Sequence, residues 1–150
     1  MKIVVLKFGG TSVGTIEKIK KVTDIIIEHK KKKNKVIVVS SAMSGVTNDL
    51  IKKSKQISNN FIDSEYDVLV SSGEQVACSL IAGRLNHKGF KSRSWLGWQI
   101  PIFTNGPYKN SRIQQVNKNK LLRFLKEGGI PIITGFQGVN MNERVTTIGR

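Results

Sequence analysis

The sequence predicts an α/β fold: a three-layer αβα sandwich with helices on both faces of a mostly parallel sheet. Segments of strand type and helix type alternate along the whole chain of 150 residues. The strand-type segments are continuous apolar runs, which are typical of strands buried on both faces of a parallel sheet. The chain has no internal repeat, low-complexity linker or composition break, so we expect a single unit.

Two strand–helix units are predicted at the start of the chain. Residues 3–8 are a short, β-branched apolar run, which predicts a strand. Residues 15–32 follow as a helix, because mainly apolar side chains recur at helical spacing, at Ile16, Ile19, Val22, Thr23, Ile26 and Ile27. Residues 36–40 form a second apolar strand, and residues 44–58 predict a second helix.

The middle of the chain is less regular. Residues 59–64 are polar and predict a connection, and the apolar run at 67–71 fits either a strand or a helix. Residues 74–85 predict a helix that ends near Gly89. A short strand is expected at 91–95.

The last third predicts a hairpin region followed by one more helix and strand. Residues 97–107 predict loop and hairpin, and residues 112–116 a weak edge strand. An amphipathic helix is expected over 116–126, closed by Gly128 and Gly129. Residues 130–134 predict a strand that carries a proline near its start, where the missing N–H matters least.

Composition excludes several classes of protein. The hydrophobic content of 39% and the 14 glycines suit a folded α/β chain rather than a disordered one. The single cysteine, Cys78, excludes an internal disulfide framework and fits a reducing, cytoplasmic environment. The apolar runs are too short to span a bilayer, and the start lacks the pattern of a signal peptide. We therefore expect a cytoplasmic protein that does not engage a membrane.

The chain is strongly basic, with 25 basic and 10 acidic residues and a formal charge of +15. Such a charge permits binding to polyanions. The densest basic run, 29–35, lies where the first helix ends, and cations stabilise that end of a helix dipole. Nucleic acid is therefore not the expected partner, and a basic nucleic-acid-binding module is kept as the alternative from another functional class.

A glycine-rich segment directly after the first strand predicts a phosphate-binding loop. Lys7 lies near the end of the strand, and Phe8, Gly9 and Gly10 come directly after Lys7. Glycine lets backbone N–H groups approach an anion closely, and the following helix adds the positive end of its dipole. Lys7 would place an ammonium group over the same spot. The segment is neither G-x-G-x-x-G nor G-x-x-x-x-G-K-[ST], so these residues alone indicate a phosphate ligand without identifying it.

A second loop of this kind follows the strand at 36–40. Ser41 begins it and Thr47 lies at its end, where the next helix begins. In a parallel sheet such loops gather at the carboxyl ends of the strands, so both loops should face one crevice. The structural alternative is that Ser44 is an ordinary N-cap and Gly45 a residue that allows close packing.

Two further segments carry charged candidates. Glu74 lies at the predicted start of the helix 74–85, where it would either bind a substrate ammonium group or stabilise the helix dipole. Arg150 follows a Thr-Thr-Ile-Gly segment and suits recognition of a carboxylate or phosphate. No His/Cys/Asp/Glu cluster has the spacing of metal ligands, so no metal-binding residue is predicted.

Taken together, these segments resemble the aspartokinases of the amino-acid kinase family. Six of them occur in the family's order: 7–13, 41–47, 72–75, 97–99, 135–138 and 146–150. The resemblance implies ATP-dependent phosphorylation of the side-chain carboxylate of L-aspartate to 4-phospho-L-aspartate, the entry step to lysine, methionine and threonine biosynthesis. It also implies that Mg²⁺ accompanies ATP, although this segment does not show the metal's ligands.

The resemblance assigns roles to individual residues. Lys7 would neutralise charge on the transferring phosphoryl group, and it would contact the ATP phosphates together with Phe8, Gly9 and Gly10. The aspartate would be bound by Ser41, Thr47, Glu74 and Arg150.

The resemblance covers only the amino-terminal part of the family's catalytic domain. A catalytic aspartate, the subdomain that binds the nucleotide base and the regulatory ACT domains would lie beyond residue 150. We therefore expect the fold to be incomplete at its carboxyl-terminal side and these 150 residues to be inactive by themselves. The full-length protein is expected to be homo-oligomeric. Another amino-acid kinase, acting on acetylglutamate, glutamate, carbamate or a nucleoside monophosphate, is the nearest alternative. A fusion to homoserine dehydrogenase also stays open.

Overall fold

The computed structural model describes residues 2–149. Within that range there are four helices: α1 Ile16–Lys31, α2 Val46–Ile57, α3 Asp63–His87 and α4 Asn119–Lys126. The same range contains eight strands: β1 Ile3–Phe8, β2 Lys35–Ser40, β3 Ser92–Trp95, β4 Ile102–Asn105, β5 Arg112–Val116, β6 Ile130–Thr134, β7 Gln137–Val139 and β8 Val145–Thr147.

Four of the strands form a parallel sheet in the order β1-β2-β6-β3. The register pairs Phe8 with Ser40, and Ser40 in turn with Thr134. The three strands β1, β2 and β6 therefore end at the same level, and the loops that follow them emerge side by side. This confirms the parallel sheet that the apolar runs predict.

Helices cover both faces of this sheet, as expected for a three-layer αβα sandwich. Val36, Val38, Ile130 and Ile132 point to one face, where they pack with residues of α1 and α3. Alternate residues point to the other face, where Val39 and Ile133 pack with Leu121 and Phe124 of α4. The two clusters alternate along each strand because successive side chains of a strand point to opposite faces.

A second sheet of mixed direction has the order β5-β4-β7-β8. The hairpin of β4 and β5 was expected, since the sequence predicts a hairpin region followed by an edge strand. The strands β7 and β8 were not expected. Each is three residues long, which is too short to show a periodic pattern, and they are held by pairing with each other and with β4.

The largest correction concerns α3, which runs unbroken for 25 residues, from Asp63 to His87. The sequence predicted a polar connection at 59–64, an unassigned run at 67–71 and a helix only from residue 74. The serine–serine–glycine stretch at 71–73 has low helix propensity. Tertiary packing overrides it, because Ser71 and Gly73 are buried against the rest of the molecule.

Three predicted helix starts are also corrected. Helix α2 begins at Val46, and its N-cap is Gly45 in the left-handed region at φ +83°, so Ser44 is not the cap. Helix α4 begins at Asn119 rather than at residue 116, because Val116 still belongs to β5. Helix α1 begins at Ile16, one residue after the predicted start, because Thr15 is the N-cap and its side chain accepts a hydrogen bond from the Lys18 amide.

None of the helices within residues 2–149 combines the length and the apolar character that crossing a membrane requires.

Candidate functional site

The loops that follow β1, β2 and β6 meet at one edge of the parallel sheet and line a cleft of about 940 Å³. The Gly135 amide donates to the Ser40 carbonyl at 2.9 Å, which joins the last two of these loops. Ligands of parallel α/β sheets bind at this edge, beyond the carboxyl ends of the strands. The prediction that the two glycine-containing loops share a crevice is therefore confirmed.

Lys7 lies on the side of the cleft that is formed by the loop after β1. It is exposed, it lies one residue before the end of β1, and its side chain lines the cleft together with Gly10 and Thr11. An ammonium group on a flexible stem at this place is available to an anion in the cleft. Within the described residues, Glu74 is the one carboxylate that lines the same cleft.

The glycines of this loop allow two backbones to approach closely. A Cβ on Gly10 would lie 3.2 Å from the Ala42 carbonyl oxygen, and one on Gly14 would lie 3.0 Å from the Cβ of Ser44. Both contacts join the loop after β1 to the loop after β2, so these glycines are needed for packing. Gly9 differs, because a Cβ there would meet no atom within 4 Å. The space beside Gly9 is therefore open, but Gly9 does not itself line the cleft.

Several groups of this loop are already used within the protein. The amides of Ser12 and Val13 both donate to the Gly9 carbonyl, at 2.9 and 3.3 Å. The ring of Phe8 packs against the apolar core under α1 and α3, and the Phe8 carbonyl accepts from the Ser41 amide at 3.0 Å. Any contact of Phe8 with a phosphate would thus come from its backbone, and its side chain holds the strand end in place.

The second loop presents hydroxyl groups to the cleft. Ser41 directly follows β2, and Thr47 lies in the first turn of α2; both are half-buried and line the cleft. The left-handed backbone of Gly45 turns the chain between them, which sets the direction in which α2 leaves the loop. The structure therefore brings both predicted residues to the same cleft as Lys7.

Glu74 reaches the cleft from the middle of α3. Its side chain is 3% exposed, and its Oε1 accepts a hydrogen bond from the Ala42 amide at 3.2 Å. Because α3 begins at Asp63, Glu74 lies more than two turns inside the helix. The explanation that Glu74 stabilises a helix dipole from the first turn is therefore wrong. The carboxylate instead joins α3 to the second loop at the cleft.

The part of α3 that carries Glu74 is held in place by packing at Gly73 and by hydrogen bonds of Gln137. A Cβ on the preceding residue, Gly73, would lie 2.9 Å from the Ala42 Cβ, so helix and loop are in contact there without a side chain between them. Gln137, which is fully buried, donates from its Nε2 to the Ser71 carbonyl at 3.0 Å and accepts from the Gly97 amide at 3.2 Å. The segment 135–138 therefore fixes the middle of α3 as well as the cleft wall.

The sequence did not single out Asp67, although the structure shows it fully buried and hydrogen-bonded to residues far along the chain. Its partner Thr147 directly precedes Ile148 and Gly149, which line the cleft. The one signal for Asp67 in the sequence was a charged residue at the start of the apolar run 67–71, and this signal could not identify Thr147 as its partner.

The last predicted site residue, Arg150, lies outside the described residues.

Other ionisable groups contribute little to a site. Burial raises the pKa of the Cys78 thiol to about 12, with Glu74 adding in the same direction, so the thiol is neutral and unreactive near neutral pH. Among residues 2–149 there is no group of three or more His, Cys, Asp or Glu that could hold a metal ion.

The matches to known sequences cover all of the residues that line the cleft. The sequence model of the Amino acid kinase family matches residues 2–150. The chain is 47% identical over 150 residues to the aspartokinase of Geobacillus stearothermophilus and 42% identical over 150 residues to the aspartate kinase of Pseudomonas putida. In both comparisons all of this chain is covered, but it spans only 37% and 36% of those relatives.

Solved structures agree in fold. The crystal structure of aspartate kinase from Synechocystis matches with a TM-score of 0.81 at 36% identity and covers 100% of this chain and 24% of that one. Escherichia coli aspartokinase III in complex with aspartate and ADP matches with a TM-score of 0.84 at 22% identity, covering 100% of this chain and 44% of that one. From the family match and this shared fold, the chain belongs to the amino acid kinase family.

Proposed function

We propose that this chain is part of an aspartate kinase, which uses ATP to phosphorylate the side-chain carboxylate of L-aspartate. One observation carries the proposal: β1, the loops after β1 and β2, the first turn of α2 and the middle of α3 meet at a single cleft, which is lined by Lys7, Gly10, Ser41, Thr47 and Glu74. A lysine ammonium beside a glycine loop can bind phosphate groups. Two hydroxyl groups beside a carboxylate can bind the polar groups of an amino acid, including its ammonium group. The names of the relatives, aspartokinases of 41–47% identity, support the same assignment.

The phosphates of ATP would lie over the loop after β1. Gly9 has open space where a Cβ would stand, so its backbone can approach an oxyanion. Gly10 lines the cleft beside it, the backbone of Phe8 completes the loop, and the Lys7 ammonium stands over the same place. In phosphoryl transfer the protein supplies mainly positioning and stabilisation of negative charge, and Lys7 is the group that supplies charge here.

The aspartate would lie between the loop after β2 and the middle of α3. Glu74 would pair with the substrate ammonium group, because it is the carboxylate that the described residues present to the cleft. Ser41 and Thr47 would donate hydrogen bonds to the substrate. Arg150, next to Gly149 in the sequence, would bind a substrate carboxylate.

In the proposed reaction a side-chain carboxylate oxygen of aspartate forms a bond to the γ-phosphorus of ATP. The bond from that phosphorus to the β,γ-bridging oxygen breaks, and ADP leaves with the electron pair. Mg²⁺, when bound together with ATP, would offset negative charge on the phosphates. The described residues show no ligand set for it, so no step is assigned to this chain through the metal.

We propose that residues 1–150 are the amino-terminal part of the catalytic domain, which agrees with the share of the relatives that the chain spans. The base-binding subdomain and ACT regulatory domains would then belong to the remaining length of the protein. We further propose a cytoplasmic homo-oligomer that serves lysine, methionine and threonine biosynthesis.

The test is a substrate panel on a full-length protein that contains this chain. ADP release is measured with ATP and, in turn, aspartate, acetylglutamate and glutamate, with the Lys7→Ala protein as the control for contaminating kinases. Aspartate-dependent ADP release that Lys7→Ala removes is the expected result. Turnover of acetylglutamate without turnover of aspartate would assign the chain to another amino-acid kinase.

A further inference from the structure

Asp67 is a carboxylate of α3 that is completely buried, far from the solvated surface where acidic residues normally lie. A buried carboxylate is costly unless hydrogen-bond donors surround it. Asp67 has such donors from two directions. The Lys109 amide reaches Oδ1 at 3.1 Å and Oδ2 at 3.0 Å, and Thr147 donates twice, from its amide to Oδ2 and from its hydroxyl to Oδ1, each at 2.8 Å.

The contacts to Thr147 fix the end of β8. The Thr147 carbonyl accepts from the Ser111 amide at 3.0 Å, and the Ile148 amide donates to the Phe136 carbonyl at 3.0 Å. The backbone at 147–148 is thereby held on both sides, and Asp67 supplies the anchor beneath it. Ile148 and the next residue, Gly149, line the cleft. Asp67 therefore acts on the cleft through Thr147, which directly precedes the two residues that line it.

Asp67 and Glu74 are on the same helix, seven residues apart, which is close to two full turns. Both are buried and lie on the same side of α3, about 10 Å apart along the helix axis. One rigid helix thus sets the position of Glu74 at one wall of the cleft and of the 147–149 segment at another. The spacing between these two walls decides whether a small substrate can contact both at once.

We propose that Asp67 is a positioning residue for the aspartate end of the cleft: it holds the segment 147–149 at the distance from Glu74 that aspartate requires. This inference rests on the proposed aspartate kinase function. Exposed ion pairs on the same helix offer a contrast. Asp63 pairs with Lys109, and Glu65 with Arg144, but these side chains are about half exposed and are expected to contribute little.

The experiment compares three variants of the full-length protein: Asp67→Asn, Thr147→Val and, as the matched control, Asp63→Asn. Asp67→Asn keeps the shape but presents an N–H₂ group where N–H and O–H donors already point, so hydrogen bonds to the 147–149 segment are lost. Thr147→Val removes only the hydroxyl donor. Asp63→Asn removes a carboxylate of the same helix that binds Lys109 from the surface.

The KM for aspartate, the KM for ATP and the thermal midpoint are measured for each protein. We expect Asp67→Asn to raise the aspartate KM about tenfold and Thr147→Val about threefold, with the ATP KM within about twofold of wild type. Asp63→Asn should leave both constants unchanged. A purely structural role would lower the thermal midpoint and the amount of active enzyme without moving the aspartate KM.

An unchanged aspartate KM in Asp67→Asn would overturn the proposal, and if that variant does not fold, an unchanged KM in Thr147→Val would do so. Equal rises in the KM values for aspartate and ATP would also overturn it. A wild-type protein that does not phosphorylate aspartate would overturn the proposed function itself, and the assignment of Asp67 with it. That failure is distinct, because it appears before any variant is compared.

Discussion

Replacing Gly73 by alanine tests the contact that holds Glu74 at the cleft. Gly73 lies in the interior of α3, one residue before Glu74, and it is buried. An alanine Cβ there would stand 2.9 Å from the Cβ of Ala42 and 3.0 Å from the Cγ1 of Val46. Neither atom is the far end of a flexible side chain. The loop after β2 must therefore move away from the helix, and the Ala42 amide moves with it.

The size of the effect follows from two opposing terms. Alanine stabilises a helix interior by about 0.5–1 kcal/mol relative to glycine. Overpacking of a tight contact costs about 1–3 kcal/mol. At Gly83, in the same helix, an added Cβ would meet no atom within 4 Å, so Gly83→Ala should show the gain alone. We therefore expect Gly73→Ala to be less stable than Gly83→Ala by about 1–3 kcal/mol.

The assay is chemical unfolding of both variants in the full-length protein, combined with the aspartate KM. Gly73→Ala should also raise the aspartate KM, because displacement of Ala42 weakens its 3.2 Å hydrogen bond to Glu74 Oε1. Gly83→Ala should leave the KM unchanged. The reasoning is refuted if Gly73→Ala stabilises the protein as much as Gly83→Ala does and leaves the aspartate KM at the wild-type value.

Three further predictions concern single side chains of the site. Lys7→Ala should lower kcat about a hundredfold or more, since one electrostatic contact to the transition state is worth ~3 kcal/mol, while the thermal midpoint stays within a few degrees. The control is Lys2→Ala, which removes a cation at the other end of β1. Near-normal turnover of Lys7→Ala would remove Lys7 from the mechanism. Glu74→Gln should raise the aspartate KM more than the ATP KM, because it weakens recognition of the ammonium group. The control is Glu65→Gln, which removes a surface carboxylate of the same helix and should leave both KM values unchanged. A wild-type aspartate KM in Glu74→Gln would contradict the role assigned to Glu74. Burial raises the pKa of Cys78 from 9.0 to about 12, so the thiol stays protonated in the folded state at pH 8. Iodoacetamide should therefore label native protein about a thousandfold more slowly than unfolded protein, as measured by mass spectrometry. Equal labelling rates would show that the thiol is accessible and ionised.

The parallel sheet was predictable because its strands are apolar runs with local patterns. Residues 3–8 and 130–134 gave the bounds of β1 and β6. Lys7 near the end of β1, Ser41 after β2 and Thr47 at the start of α2 all lie at the predicted edge of the sheet. These features depend on local periodicity and on the general geometry of parallel sheets. They did not require knowledge of any distant contact.

The features that sequence reasoning missed depend on contacts distant in sequence. Helix α3 crosses a serine–glycine stretch of low propensity because Gly73 fits against Ala42, which lies on another element. Asp67 binds Lys109 and Thr147, which are 42 and 80 residues away, and no local pattern marks such a pair. Glu74 was found by its residue type and its neighbours in sequence, but its mid-helix position was not.

The proposed function requires that the cleft transfer a phosphoryl group from ATP to the side-chain carboxylate of aspartate. The most direct measurement traps the acyl phosphate product with hydroxylamine and identifies the hydroxamate by mass spectrometry, using full-length protein that contains this chain. We expect the side-chain hydroxamate of aspartate, formed only with ATP and reduced about a hundredfold in Lys7→Ala. ADP release without any aspartate hydroxamate would contradict the proposed function.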